Sequence, residues 1–310
     1  MKIPKLAYPV YTLDKRLLLP AGKLLTPEAM DTLISTHNGT PYENLPLLEY
    51  GTVYNDILHL IQKPPYNVIF GKREKRATLR TMEKIRLIKP VLESLDYFKK
   101  SDIYTYRHIL LVFAIATILS RNLLEDSQDW VVEAMAGQMH DFGKINVPLQ
   151  ILKKSNPLTR TERSILEHHA LAGFVLLSYY LRDSRSISAR IAKEHHERRD
   201  GSGYPTGIPL RDRMVEIISA CDVYDALLSP RPYRLTPYDN RTALEEITRM
   251  AQRGQLSWDV VKILVSYNRK DKPSFPECKV SEEIRGTPPA NNLYGIIVND
   301  DPSTDGHQDT

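Results

Sequence analysis

Apolar residues recur at helical spacing through most of the middle of this chain. Tyr106 to Leu124 is strongly apolar and reads as a buried helix, with the run Ile109–Leu119 at its centre. Trp130 to His140 is the next expected helix, ended by Gly143 as a breaker. Thr159, with Glu162 three residues later, makes a capping box for a helix running towards Leu181. Ile187 to His196, Met214 to Leu228, a segment opened by Thr236-Pro237, and the stretch SWDVVKILVSY around Trp258 follow. Together they predict a nearly all-helical region over 97–270.

The pattern before that region is different. YPVYTLDKRLLLPAG alternates loosely and turns at Asp14-Lys15, which predicts a β-hairpin. Thr26-Pro27 starts a helix, with Thr as the N-cap and Pro in the first turn. Residues 38–76 are rich in Pro, Tyr and charge and carry no firm period; Asp56–Gln62 reads as a short helix and Asn67–Phe70 as a strand. Glu83 to Leu95 returns to helical spacing as a linking helix. The fold class is therefore mainly α: a small N-terminal α/β module over 1–96, regulatory or dimerising in role, then an all-helical bundle over 97–270. The tail, 271–310, is rich in Pro, Asp and Ser and is expected to be largely disordered.

Charge changes the picture only slightly. The 310 residues carry a net +4, with 16 Lys+Arg against 10 Asp+Glu in residues 1–100 and 3 against 8 in the tail. A nucleic-acid polymer would ask for basic residues clustered on one face, whereas a mildly basic centre suits a small anionic substrate. Cys221 and Cys278 show no metal-ligand spacing and fit a reducing compartment. MKIPKLAYPVY lacks a signal-peptide core, and Ile109–Leu119 is about half of the ~20 residues a membrane span requires. A cytoplasmic protein with no membrane span is expected.

Candidate chemistry lies in the histidines. Six of the nine fall between residues 108 and 196, each in or at the end of a predicted helix. Ile187, Ile191 and His195 are four apart, so His195 faces inward, with His196 about 100° round the helix. The loop that follows, in HHERRDGSGYP, carries Gly201, Gly203 and Gly207, which let backbone approach a ligand closely. His140-Asp141 ends another helix, and Asp222 sits inside the apolar run IISACD, where an unpaired carboxylate would be expensive. His108, His140, Asp141, His169, His195, His196 and Asp222 together form a candidate cation site. Imidazole and carboxylate without thiolate suit Fe, Mn, Zn or Ni; iron is the expected metal and manganese the alternative. Seven ligands are too many for one open ion and about right for two, with Asp141 as the bridge. Two ions roughly 3.5–4 Å apart can clamp both oxygens of an in-line displacement, which points to hydrolysis of a phosphate ester.

The HD pair within HDFGK, the second histidine of LEHH, HHE followed by DG and GYP, then DVYDAL and RPYR, resemble the HD-GYP family over about residues 97–270. Members of that family are metal-dependent phosphodiesterases that open cyclic di-GMP. The resemblance implies the same seven metal ligands, with His169 rather than His168 because Gly173 follows four residues later. It implies Lys144 near the bridging water and phosphate, and Arg231 as a contact to substrate phosphate. Tyr204 of GYP either stacks on a guanine or packs the turn. Tyr104 stands where some members carry a glutamate for a third metal, so two ions are expected, a state the resemblance associates with linear pGpG as the main product and GMP beyond it. The loop from Pro205 to Asp222 is about two residues shorter than the family pattern, and Glu216 replaces a usual arginine.

The residues around these motifs add expectations of their own. Arg231 and Arg234 carry forked donors that suit phosphate oxygens. Asp225, one turn from Asp222, is grouped with the substrate contacts and is also placed to orient a ligand histidine. Glu197 either anchors the histidine pair or meets a neighbouring arginine, and Asp102 caps the first ligand helix. The rival to an enzyme is a catalytically weak or inactive cyclic di-GMP receptor. Such a module would dock protein partners through the GYP loop, diguanylate cyclase-type proteins among them. A homodimer through the N-terminal module is a further expectation.

Overall fold

The computed structural model describes residues 3–37, 39–124, 139–290, 292 and 296–300. Its central element is the helix Ile103–Leu123, which is buried on nearly every side from Thr105 to Ser120. Asp102 starts this helix as expected, its carboxylate accepting from the N–H groups of Tyr104 and Thr105 and from the Thr105 hydroxyl. Among the described residues it is the one helix long and apolar enough to cross a membrane, and 83% of its apolar window is buried inside the fold. A helix hydrophobic all round needs such cover. Arg213–Leu228 lies along it, and Lys89–Ser101, Val53–Gln62 and Lys72–Met82 close other sides. A second buried helix, His169–Leu181, packs on Ile187–Glu194 and on the short turn Phe142–Asn146. The chain is mainly α, with short two-stranded pairings at the edges.

Most expected elements are present, with shifted ends. The capping box at Thr159 and Glu162 forms, but its helix stops at Glu167 and a separate one begins at His169. The helix expected from Thr236-Pro237 starts instead at Asn240, because the Asp239 carboxylate takes both the N–H and the hydroxyl of Thr242. Asn67–Phe70 is not a strand; Tyr66–Val68 is a turn of 3-10 helix. The linking helix does not begin at Glu83. Arg86–Ile88 pairs antiparallel with Asn44–Pro46, and Pro90 then sets the start of Lys89–Ser101. Lys72–Met82 is a helix that periodicity hid, since its charged residues outnumber its apolar ones. The expected helix over Trp130–His140 lies, up to residue 138, outside the described residues.

The N-terminal hairpin pairs Val10–Tyr11 with Leu17–Leu19, with Lys15 at φ +66° in the turn, and Thr26 caps Pro27–Ser35. This region shares one interior with the helical part. Buried apolar residues run continuously from Leu6 through Ile57, Ile69 and Leu92 to Phe113 and Val175, and the helix Lys89–Ser101 carries the chain through residue 96. The tail also departs from expectation. Glu245 accepts from the N–H groups of Arg285 and Gly286, Cys278 is buried, and Ile297–Val298 pairs in parallel with Leu158–Thr159. Backbone hydrogen bonds dock these stretches, together with Phe275 and Val280 packed against the core. Residues 301–310 lie outside the described residues.

Gly143 lies inside the turn Phe142–Asn146, hard against the backbone of His169–Leu181. A Cβ there would lie 1.9 Å from the His169 carbonyl oxygen and 2.4 Å from the Gly173 nitrogen, both backbone atoms that cannot swing away. Gly143→Ala should therefore destabilise by about 3 kcal/mol or more, the upper end of overpacking. Gly51→Ala, at φ +53° with open space around it, should cost only about 1–2 kcal/mol of left-handed strain. Urea denaturation of both variants compares them; a Gly143→Ala loss no larger than that of Gly51→Ala would show that the two backbones tolerate separation there.

Candidate metal centre

Four elements deliver the histidines. His108 lies in the first half of Ile103–Leu123, His140 and Asp141 just before the turn Phe142–Asn146, His169 at the start of its helix, and His195-His196 just past Glu194. Asp222 comes from the middle of Arg213–Leu228. The structure brings all seven expected ligands together. They fall into two triads, His169, His195 and His196 on one side and His108, His140 and Asp222 on the other. Asp141 spans them: one carboxylate oxygen lies 3.5 Å from His169 Nε2, and the other lies 3.4 Å from His140 Nε2 and 3.6 Å from His108 Nε2.

The orientation of the rings decides what the centre can hold. His169 Nδ1 lies 2.6 Å from the Leu166 carbonyl, and His195 Nδ1 lies 3.0 Å from those of Ile191 and Ala192. Carbonyls only accept, so these Nδ1 atoms carry the protons and the Nε2 lone pairs point inward. Burial holds His195 down to about 3, with help from His140 and His169, and holds His169 down to about 4. Both are neutral near pH 7. His169 Nε2 nevertheless lies 3.3 Å from His195 Nε2 and 3.2 Å from His196 Nε2. The bare Nε2 atoms of His169 and His195, facing one another at that range, suit a shared cation, so the donor set fits metal ligation.

The carboxylates agree with this. Burial alone would raise Asp141 and Asp222. Lys144 and the imidazoles of His140 and His108 instead hold Asp141 well below the usual carboxylate range, and His108 and His196 do the same for Asp222. Lys144 Nζ sits 2.6 Å from Asp141 Oδ2. His168 is excluded from the cluster. Its ring meets Tyr8 edge-on at 5.5 Å, and burial lowers it to about 4.

A cleft opens over the cluster, lined by Lys144, Tyr204, Arg231, Tyr233 and Arg163 among others. Tyr204 stacks on His196, with ring centroids 4.5 Å apart and an interplanar angle of 21°, so one face of the tyrosine is already used. Arg231 is buried, 3.7 Å from Asp225 Oδ2, on the cleft wall. Arg234 also lines the cleft, with its Nη2 turned to the carbonyls of Ala226, Leu227 and Ser229 at the end of the Arg213–Leu228 helix. A buried guanidinium beside exposed helix-end carbonyls is satisfied there first.

Asp225 departs from the substrate group. It is fully buried behind His108, with Oδ2 2.5 Å from His108 Nδ1, which is the ligand-orienting alternative. Its other oxygen accepts from the hydroxyl of Tyr66 at 2.5 Å. Sequence reasoning missed Tyr66, because it lies in the stretch without periodicity, and missed Arg163 and Tyr233 on the cleft wall. Glu197 fits neither expectation. Buried at 1% exposure, it accepts from the N–H and hydroxyl of Thr206 and from the N–H of Gly207, stapling the GYP loop shut. Gly203 is needed because a Cβ would lie 2.3 Å from the His196 carbonyl oxygen, so the close approach is to the chain itself. Glu216 is buried against the N–H of Ser257 and near Arg199 and Arg213, and serves packing.

Comparison with known proteins follows the same residues. A cyclic di-GMP phosphodiesterase of Pseudomonas aeruginosa is 40% identical over 167 residues, 52% of this chain and 38% of that protein. The cyclic di-GMP phosphodiesterase response regulator RpfG of Xanthomonas campestris is 38% identical over 147 residues, 46% of this chain and 37% of that protein. A cyclic di-GMP phosphodiesterase of Thermotoga maritima is 37% identical over 166 residues, 51% of this chain and 43% of that protein. The chain thus spans about two fifths of the length of these relatives. A family model described as an HD domain matches residues 86–256, more than half of the chain and all seven residues of the two triads and their bridge. With His140-Asp141 at the junction of those triads, the chain belongs to the HD domain family.

Proposed function

We propose that this chain is a metal-dependent phosphodiesterase that hydrolyses cyclic di-GMP to linear pGpG, using two divalent ions, iron or manganese. The observation that carries the reading is Asp141, whose two oxygens face two separate ligand triads at the floor of a cleft. The names of the relatives support the substrate. Two bound ions would supply Lewis acidity at the phosphoryl oxygens and a water of lowered pKa.

The chain's own residues do the rest. His169 and His195, pinned at Nδ1 by carbonyls, present Nε2 without rotating. Lys144 reaches past Asp141 into the cleft, where its ammonium offsets charge developing on the phosphate. Cyclic di-GMP carries a second phosphate that is not being cleaved. Arg231, which also lines the cleft, meets it with a forked donor. Tyr204, held flat on His196, fixes the rim of the cleft.

Elemental analysis of anaerobically purified protein should find two ions per chain, and Asp141→Ala should lose metal and activity together. Retention of both ions with normal turnover would remove Asp141 as the bridge. Asp225→Asn should weaken metal binding by perhaps 10–100-fold, the usual consequence of freeing a ligand histidine. Arg231→Ala should keep its metals but lose about 1.5–3 kcal/mol of a charge-assisted hydrogen bond, roughly a tenfold to 150-fold fall in kcat/KM on cyclic di-GMP. Arg231→Lys should recover part of that loss. Product analysis by chromatography decides the activity itself: a wild-type chain with two ions that binds cyclic di-GMP and leaves it intact is a receptor, not an enzyme.

A further inference from the structure

The histidine at the heart of one triad is held from outside the family domain. His108 Nδ1 lies 2.5 Å from Asp225 Oδ2, and Asp225 Oδ1 takes the hydroxyl of Tyr66 at 2.5 Å. Tyr66 is buried, and its residue number falls twenty before the start of the HD domain match at 86. The other neighbour of that oxygen is Ser229, on the domain side, at 3.2 Å from both Asp225 and Tyr66. The Tyr66 backbone is itself fixed. Its carbonyl accepts from the N–H groups of Ile69 and Phe70, and the Ile69 carbonyl accepts from Lys272, which also pairs with Glu74 at 3.1 Å.

We propose that Tyr66 is a positioning residue for the metal centre: its hydroxyl sets the Asp225 carboxylate, which aims His108 Nε2 into the triad, so the ligand set is complete only with the N-terminal region docked. The physical reason is that a carboxylate with one oxygen on an imidazole keeps a free rotation about its last bond. Hydrogen bonds on the second oxygen remove that freedom, and of the two found there the Tyr66 bond at 2.5 Å is shorter than the Ser229 bond at 3.2 Å, in a buried setting that strengthens both. A structural role alone would need any partner for Tyr66 in the core. The observed partner is the carboxylate that meets His108 at Nδ1, the ring nitrogen turned away from the triad.

The inference rests on the reading that the triads bind metal, and the test separates the two. Full-length wild type, Tyr66→Phe, Asp225→Asn and the double variant are titrated with Mn²⁺ against a competing chelator, and each is melted metal-free. Tyr66→Phe keeps the buried ring; its Mn²⁺ affinity should fall about 3–30-fold, less than the ~10–100-fold typical of a residue touching the ligand itself. On the Asp225→Asn background the same change should do less than twofold, because the relay is already cut. Losses that add in full, or a Tyr66→Phe affinity within twofold of wild type, overturn the proposal while leaving the metal reading standing. A wild-type chain that takes up no Mn²⁺ overturns both. If neither Tyr66→Phe nor Tyr66→Met gives a folded full-length chain, the hydroxyl serves folding and the proposal falls.

Discussion

Asp141 is a buried anion between two sets of histidines, and the surrounding structure is arranged to make that tolerable. A carboxylate at 1% exposure with only apolar neighbours would take up a proton. Here Lys144 and the imidazoles of His140 and His108 keep it ionised, while backbone carbonyls lock His169 and His195 into the tautomer whose bare Nε2 atoms face one another, a set that suits a cation beside the anion. The helix Ile103–Leu123 must be buried on nearly all sides so that His108 reaches this point, and Gly143 must lack a side chain so that Asp141 comes close to His169. The fold is shaped by the need to gather charge in a dry place and compensate it there.

That need explains why the centre was readable from sequence while its supports were not. Histidines and aspartates at helix ends, inside apolar runs, have few innocent explanations, and all seven candidates converge. Periodicity then sufficed for the helices that bury one broad face. It failed for Lys72–Met82, whose charges mask its period, and for Arg86–Ile88, where three residues pair with a strand forty positions earlier. The roles of Arg234, Asp225 and Glu197 turned on which partner each side chain meets first. A guanidinium fits helix-end carbonyls as well as a phosphate, and a carboxylate fits a loop's N–H groups as well as a metal-bound imidazole. Residue type names the chemistry available and leaves the partner to the fold.

The GYP loop shows the same point in the backbone. Its glycines and acids look like a flexible ligand loop, yet Gly203 folds back on the His196 carbonyl and Glu197 ties Thr206 and Gly207. The loop is rigid because it must fix His196, which lies outside the last helical turn and would otherwise be free to rotate. Tyr204, stacked on that imidazole, completes the restraint from the cleft side. A loop built this way transmits little motion of its own.

Regulation, if it acts on this centre, therefore has to enter where the restraint comes from elsewhere in the chain. His195 and His169 are held at Nδ1 by carbonyls of their own or adjoining helical segments. His108 is held by Asp225, and Asp225 is held in turn by a tyrosine from residues that the family domain does not include. Among these ligands it is His108 whose ring is tied by hydrogen bonds to the N-terminal region. The N-terminal region borders both triads: Pro27–Ser35 and Val10–Tyr11 pack on the His169 helix, and Tyr66 meets Asp225 behind His108. At His108 the contact runs through hydrogen bonds to the ligand ring itself, so a shift of Tyr66 acts on the direction of Nε2, whereas a shift of the packed faces acts on the placement of a whole helix.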